Sequence, residues 1–155
     1  MIRKPRILLY SHDTFGLGHL RRTLSVAESC TAGKGGMIIT RVPGSSDYFF
    51  GGIMCYSNAV KSDLCGVPDP LLRERGAVSE EVAAALAQGV RSALKSDLGL
   101  SITGIAGPSG GSPEKPVGLV FVGIADGKVT QTYRRIISGD RDSIRERSSY
   151  FALSC

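Results

Sequence analysis

Apolar residues in this chain come in short runs and in one clear helical period, and the two patterns alternate. Val82, Leu86, Val90 and Leu94 recur every fourth residue, which lines them along one face of a helix. Ser79 is placed to cap that helix, and Glu80 and Glu81 fall in its first turn, where the dipole favours negative charge. Residues 117–125 are almost all apolar and predict an interior strand covered on both faces, while 100–105 predict another. Asp126-Gly127 signals a hairpin turn into an antiparallel strand over 129–137, after which Asp140 caps a C-terminal helix containing Ile144 and Phe151. Upstream, residues 52–56 read as a strand. Ser57 caps a short helix that Gly66 and Pro68 stop, and a second short helix runs from Pro70 to Gly76. Nearest the start, residues 7–10 predict a short buried strand, and Gly16-Leu17-Gly18 a turn into a helix over 19–27.

Alternating strands and helices with one hairpin argue for an α/β protein, a single three-layer α/β/α domain on a mixed sheet, with its site in the loops at strand ends. At 155 residues, 42% hydrophobic and 21% charged, the chain has the size of one globular domain. Residues 1–22 read as an atypical N-terminal segment and 23–155 as the domain. No apolar run approaches the roughly 20 residues that span a bilayer, and Arg3, Lys4 and Arg6 lead into too short an apolar stretch for a signal peptide. The expected setting is the cytoplasm, with no membrane partner. Most of the +5 net charge comes from Arg3, Lys4, Arg6, Arg21 and Arg22, so the body is near neutral and nucleic acid is not an expected partner. Cys30, Cys55, Cys65 and Cys155 are too few for a disulfide framework and form no metal-ligand spacing.

Three segments combine small residues with isolated polar ones beyond what packing demands: residues 27–33, Tyr56-Ser57-Asn58 with Lys61, and 103–118. A hydrolase needs a nucleophile, a group to take its proton and donors aimed at the developing oxyanion. Ser29 can be that nucleophile, with backbone N–H groups converging after it; a helix N-cap is the plainer reading of the residue alone. Cys30 is the rival nucleophile, or a small buried hydrophobe. A desolvated Lys61 would lose basic strength enough to deprotonate Ser29, with Tyr56 as relay, whereas a solvated Lys61 would do nothing. The loop over 104–116, rich in glycine and proline, can bring backbone N–H groups close to a phosphate, with Lys115 and Arg141 adding charge.

Taken in order, AESCTAG (27–33), VPGSS (42–46), Gly51-Gly52, Tyr56 to Asn58 with Lys61, GAVSEE (76–81), TGIAGP (103–108), EKPVG (114–118) and GDR (139–141) resemble the C-terminal domain of the CinA family over residues 23–153. That resemblance implies an amidase that converts nicotinamide mononucleotide to nicotinate mononucleotide and ammonia, without a metal or cofactor, usually as a homo-oligomer and often behind another domain. It implies Ser29 as nucleophile assisted by Tyr56 and Lys61. Cys30, Thr31, Ser45, Ser46, Asn58, Thr103, Gly104, Gly107, Gly111, Lys115 and Arg141 would hold the nucleotide.

Two departures stand out. Residues 6–22 resemble the opening strand, turn and helix of a nucleotide-sugar glycosyltransferase. Lys34-Gly35-Gly36 replaces a Leu- and Ala-rich helix, and each interior glycine costs a helix about 1 kcal/mol, so that element is expected to be short or mobile. The altered flanks leave two other readings: a pyridine-nucleotide-binding module without turnover, and a glycosyltransferase fragment.

Overall fold

The computed structural model describes residues 22–155. Five strands, β1 (Leu24–Glu28), β2 (Phe49–Met54), β3 (Leu98–Gly104), β4 (Leu119–Ala125) and β5 (Thr130–Ile136), form one sheet in the order β2-β1-β3-β4-β5. Strands β2, β1 and β3 are parallel, and β4 and β5 run antiparallel to their neighbours, so the sheet is mixed as expected. Helices α1 (Lys34–Thr40) and α5 (Arg141–Ser154) cover one face. Helices α2 (Asn58–Cys65), α3 (Asp69–Arg75) and α4 (Glu80–Leu94) cover the other, giving three layers.

The two faces differ in kind. Towards α1 and α5 the sheet presents Leu24, Val26, Leu100, Ile102, Val120 and Val122, an ordinary branched apolar core. Towards α4 it presents Ser25, Ala27, Gly99, Ser101 and Gly123, and α4 lies almost on the sheet backbone. A Cβ at Gly99 would overlap the Ala87 carbonyl, and one at Gly123 the Ala83 carbonyl. The hydroxyls of Ser101 and Ser25 donate to the carbonyls of Ala83 (2.6 Å) and Val90 (3.2 Å), so polar groups in a closed interface stay satisfied. Small side chains permit the approach, and hydroxyls fix its register.

Helices α2 to α5 fall within a residue or two of their expected positions, with the side chains of Ser57, Ser79 and Asp140 accepting at their N-termini. Strand β2 begins three residues earlier than expected. The helix expected over 19–27 is corrected: residues 24–28 form the buried strand β1, whose alternating side chains are divided between the two layers. The strand expected at 7–10 and the turn at 16–18 lie outside the described residues. Residues 34–40 form the short helix α1, as Lys34-Gly35-Gly36 leads one to expect, and what holds its first turn lies in the site.

Replacing Gly99 by Ala should cost about 1–3 kcal/mol in chemical denaturation, because α4 must lift from the sheet. Ser92→Ala, on the exposed side of α4, should stay within about 0.5 kcal/mol of the parent. Equal loss in both would contradict the close-packed interface.

Candidate active site

From β1 the chain crosses by α1 to β2 on one side of it, then returns by α2, α3 and α4 to β3 on the other. The C-terminal ends of β1 and β3 therefore sit side by side where the chain departs in opposite directions, the place where α/β sheets open a crevice. The backbone N–H of Ser29 bridges the two strands there by donating to the Ile102 carbonyl at 3.0 Å. Ser29 is buried and is not a helix cap, since Gly33 is the N-cap of α1 and lies in the left-handed region at φ 91°. Ala32 precedes it at φ 49°. A left-handed non-glycine residue costs roughly 1–2 kcal/mol, and such strain gathers at functional turns.

Glu28 organises this turn, and it is the residue that the sequence reading missed. Its side chain is buried at the end of β1 and accepts from the Thr31 hydroxyl and from the backbone N–H groups of Gly33 (3.0 Å), Gly35 (3.0 Å) and Gly36 (2.7 Å). The N-terminal donors of α1, orphans in any helix, are thus satisfied by a carboxylate that the helix dipole also favours. Glycine at 35 is what allows the contact, since a Cβ there would press on the carboxylate at 3.0 Å. The alternation that places Leu24 and Val26 in the core also points Glu28 inward, and that was the available signal.

Thr31 is fully buried, with its hydroxyl committed to Glu28 and its carbonyl accepting from Arg145 at 3.2 Å. Cys30 is buried against Gly104, and loss of water pushes its thiol up to about 12, with Arg141 and Arg145 only partly opposing. So little thiolate would form that Cys30 is a poor nucleophile beside Ser29.

Lys61 is 1% exposed, and its ammonium donates to the Tyr56 carbonyl at 3.0 Å. That is its one acceptor among the described residues. Burial holds its pKa below the ordinary 10.5, while the nearby thiols of Cys55, Cys65 and Cys30 act in the opposite sense. Cys55 is lowered by a hydrogen bond from Cys65, which is itself raised by the same contact. Cys55 also anchors β2 to the site, its N–H donating to the Glu28 carbonyl at 2.8 Å. Tyr56 contacts Lys61 through its carbonyl, and its phenol side chain stands exposed beside Asn58 at the start of α2.

The loop after β3 is tied to the elements around it. Thr103 is buried, its hydroxyl donating to the Ala77 carbonyl at 2.7 Å, and Gly104 follows it. The Gly107 carbonyl accepts from Arg141 at 2.7 Å, tying the loop to α5, and Lys115 donates to the Arg75 carbonyl at 2.6 Å, tying it to α3. Gly111 is exposed between these anchors. Ser45 and Ser46 are not brought here. They lie in a short 3-10 turn, Ser45–Asp47, just before β2. Since β2 runs parallel to β1, that turn sits at the other end of the sheet, about 17 Å away for five residues of strand.

The CinA C-terminal domain profile matches residues 15–155. A CinA-like protein of Rippkaea orientalis is 54% identical over 134 residues, covering 84% of this chain and 32% of that protein. A CinA-like protein of Synechococcus is 62% identical over 106 residues, covering 68% of this chain and 25% of that protein. The chain therefore spans about a third or less of the length of these relatives. The crystal structure of competence/damage inducible protein CihA from Agrobacterium tumefaciens has a TM-score of 0.82 at 36% identity, covering 85% of this chain and 81% of that one. The profile begins within residues 6–22, and these matches give no support to the glycosyltransferase resemblance of that stretch. With this fold, this ordered set of motifs and a match over nearly its whole length, the chain belongs to the CinA C-terminal domain family.

Proposed function

We propose that this chain hydrolyses the carboxamide of nicotinamide mononucleotide to nicotinate mononucleotide and ammonia. The observation that carries the reading is Lys61, a buried lysine with a single acceptor among the described residues, whose charge is felt by Cys30, the residue after Ser29, and by Cys55, which is bonded to the strand end before it. Burying an ammonium costs several kcal/mol after relaxation, and a lowered pKa is how such a group becomes a base near neutral pH. A purely structural role would be served better by an apolar side chain.

In this reading Ser29 Oγ attacks the carboxamide carbon as its proton passes to the neutral Lys61 amine. The oxyanion that forms is held by backbone N–H groups of the turn after Ser29. Lys61 returns the proton to the leaving nitrogen, ammonia departs, and an ester to Ser29 remains. Water, deprotonated by Lys61, then cleaves that ester, and Lys61 returns the proton to Ser29 Oγ as nicotinate mononucleotide leaves. Arg141 and Lys115 supply charge for the phosphate. Gly104, Gly107 and Gly111 let the nucleotide approach the loop backbone, and Thr103, bound to Ala77, holds that loop in place. Tyr56 and Asn58 stand at the exposed mouth.

A homo-oligomer belongs to the same proposal. Phe50, Met54, Tyr56 and Leu64 are all exposed on β2, α2 and the turn between them, and a second copy covering them would remove apolar surface from water. Ser45 and Ser46 would meet a nucleotide only as part of another copy's site.

With nicotinamide mononucleotide as substrate, the parent should release ammonia, and Ser29→Ala should lose at least about 10³-fold in kcat with little change in KM. Tight binding with no ammonia from folded parent would instead leave a nucleotide-binding module. Lys61→Met should be as inactive as Ser29→Ala, yet melt no lower than the parent, because it removes a desolvated charge. A lower melting temperature with activity retained would make Lys61 structural.

The pH profile gives an independent check. The base works as the neutral amine, so kcat/KM should rise with pH and level off at a pKa below 10.5, the ordinary lysine value. Lys61→Arg, which stays protonated, should abolish the rise together with the activity. A limb surviving in that variant would assign the titration to another group.

A further inference from the structure

We propose that Glu28 is a positioning residue for Ser29, an inference that rests on the hydrolytic reading above. The Glu28 carboxylate draws in four donors from the next eight residues: the Thr31 hydroxyl and the N–H groups of Gly33, Gly35 and Gly36. Thr31, Gly33 and Gly35 reach Oε2 and Gly36 reaches Oε1, so both carboxylate oxygens are engaged. The carbonyl of the same residue accepts from the Cys55 N–H at 2.8 Å, and the N–H of the next residue, Ser29, is held by Ile102 at 3.0 Å. Ser29 is therefore fixed on both sides, by the sheet through its own backbone and by the turn through Glu28.

Arg145 completes the grip from α5. It donates to the Thr31 carbonyl at 3.2 Å and, from its other terminal nitrogen, to Asp142 at 3.2 Å. Held from opposite sides, Thr31 cannot swing, and Ala32 is kept left-handed beside it. The N–H groups of Thr31 and Ala32 have no acceptor among the described residues. They are the donors the turn leaves over once Glu28 has taken those of Gly33, Gly35 and Gly36. The arrangement divides the labour: the N–H groups of Gly33, Gly35 and Gly36 go to a carboxylate of the protein itself, that of Lys34 goes to the Thr31 carbonyl, and those of Thr31 and Ala32 stay open to the oxyanion.

A consequence concerns the substrate phosphate. A helix N-terminus at a crevice ordinarily attracts an anion, but the start of α1 already carries one. The phosphate is thereby directed away from α1 and towards the Arg141 side.

The test uses Glu28→Gln and Thr31→Val. The first keeps the size of the side chain but sets an NH₂ donor against the N–H groups. The second removes one donor and leaves the carboxylate. With nicotinamide mononucleotide, both should remain folded and keep KM within about threefold of the parent. kcat should fall about 100-fold in Glu28→Gln and about tenfold in Thr31→Val, and Glu28→Asp should recover part of the loss. A merely structural residue would lower the melting temperature while the folded fraction kept its kcat, and that result would overturn the proposal. Backbone amide exchange, followed by NMR, decides the matter apart from activity. Gly33, Gly35 and Gly36 should be protected in the parent and exposed in Glu28→Gln, and equal protection in both would also overturn it. A parent that releases no ammonia yet shows this exchange pattern would count against the hydrolytic reading while upholding the role of Glu28 in the turn.

Discussion

The carbonyl oxygens of α4 rest on the backbone of the sheet, and the rest of the architecture follows from that contact. With Gly99, Ser101 and Gly123 beneath it, α4 cannot be displaced without breaking the bonds that the hydroxyls of Ser25 and Ser101 make to its Val90 and Ala83 carbonyls, which would be left unsatisfied on that side. Such a loss costs about 1–3 kcal/mol for each group left unsatisfied. The helix thus pins β1, β3 and β4 in one register. Bulky side chains are left to the opposite face, where α1 and α5 pack on Val26, Leu100, Ile102, Val120 and Val122. Because β1 and β3 are locked side by side, their C-terminal ends coincide, and the turns after Glu28 and Gly104 are forced into contact.

Two ionisable side chains are buried near that meeting point, and the structure treats them differently. Glu28 is surrounded by four donors that engage both of its oxygens, so its burial is compensated and the turn gains rigidity from it. Among the described residues Lys61 has one carbonyl and three neighbouring thiols, and its burial is compensated poorly. A well-satisfied charge shapes a backbone, and a poorly satisfied one is easily deprotonated. On the proposed hydrolytic reading the pair divides into a residue that holds the nucleophile and a residue that activates it, which is how paired environments set acid–base roles in enzyme sites.

Much of this was legible in the sequence where the signal is local. The period of Val82, Leu86, Val90 and Leu94, with Ser79 before it, specifies α4 by itself, and Ser57 and Asp140 likewise mark α2 and α5. The misread parts depend on contacts between distant residues. Leu24 to Glu28 reads as the end of a helix if joined to residues 19–23, and becomes a strand because β2 and β3 pair with it on both sides. Gly35 and Gly36 look like helix breakers when propensity alone is counted, yet they are the residues whose N–H groups reach Glu28. Motif order groups Ser45 and Ser46 with the nucleotide site, but it carries no information about which end of a strand a turn occupies. The site's other members fell together because most follow the C-terminal ends of β1, β2 and β3.

The account turns on Ser29 forming a bond to the carboxamide carbon. Rapid mixing of the parent with excess nicotinamide mononucleotide, followed by acid quench and intact-protein mass spectrometry, tests this most directly. The account predicts a transient mass increase corresponding to the nicotinate mononucleotide ester, localised to the peptide bearing Ser29 and missing from Ser29→Ala. Steady release of ammonia by a Ser29→Ala protein, with no adduct on the parent at any time, would contradict it.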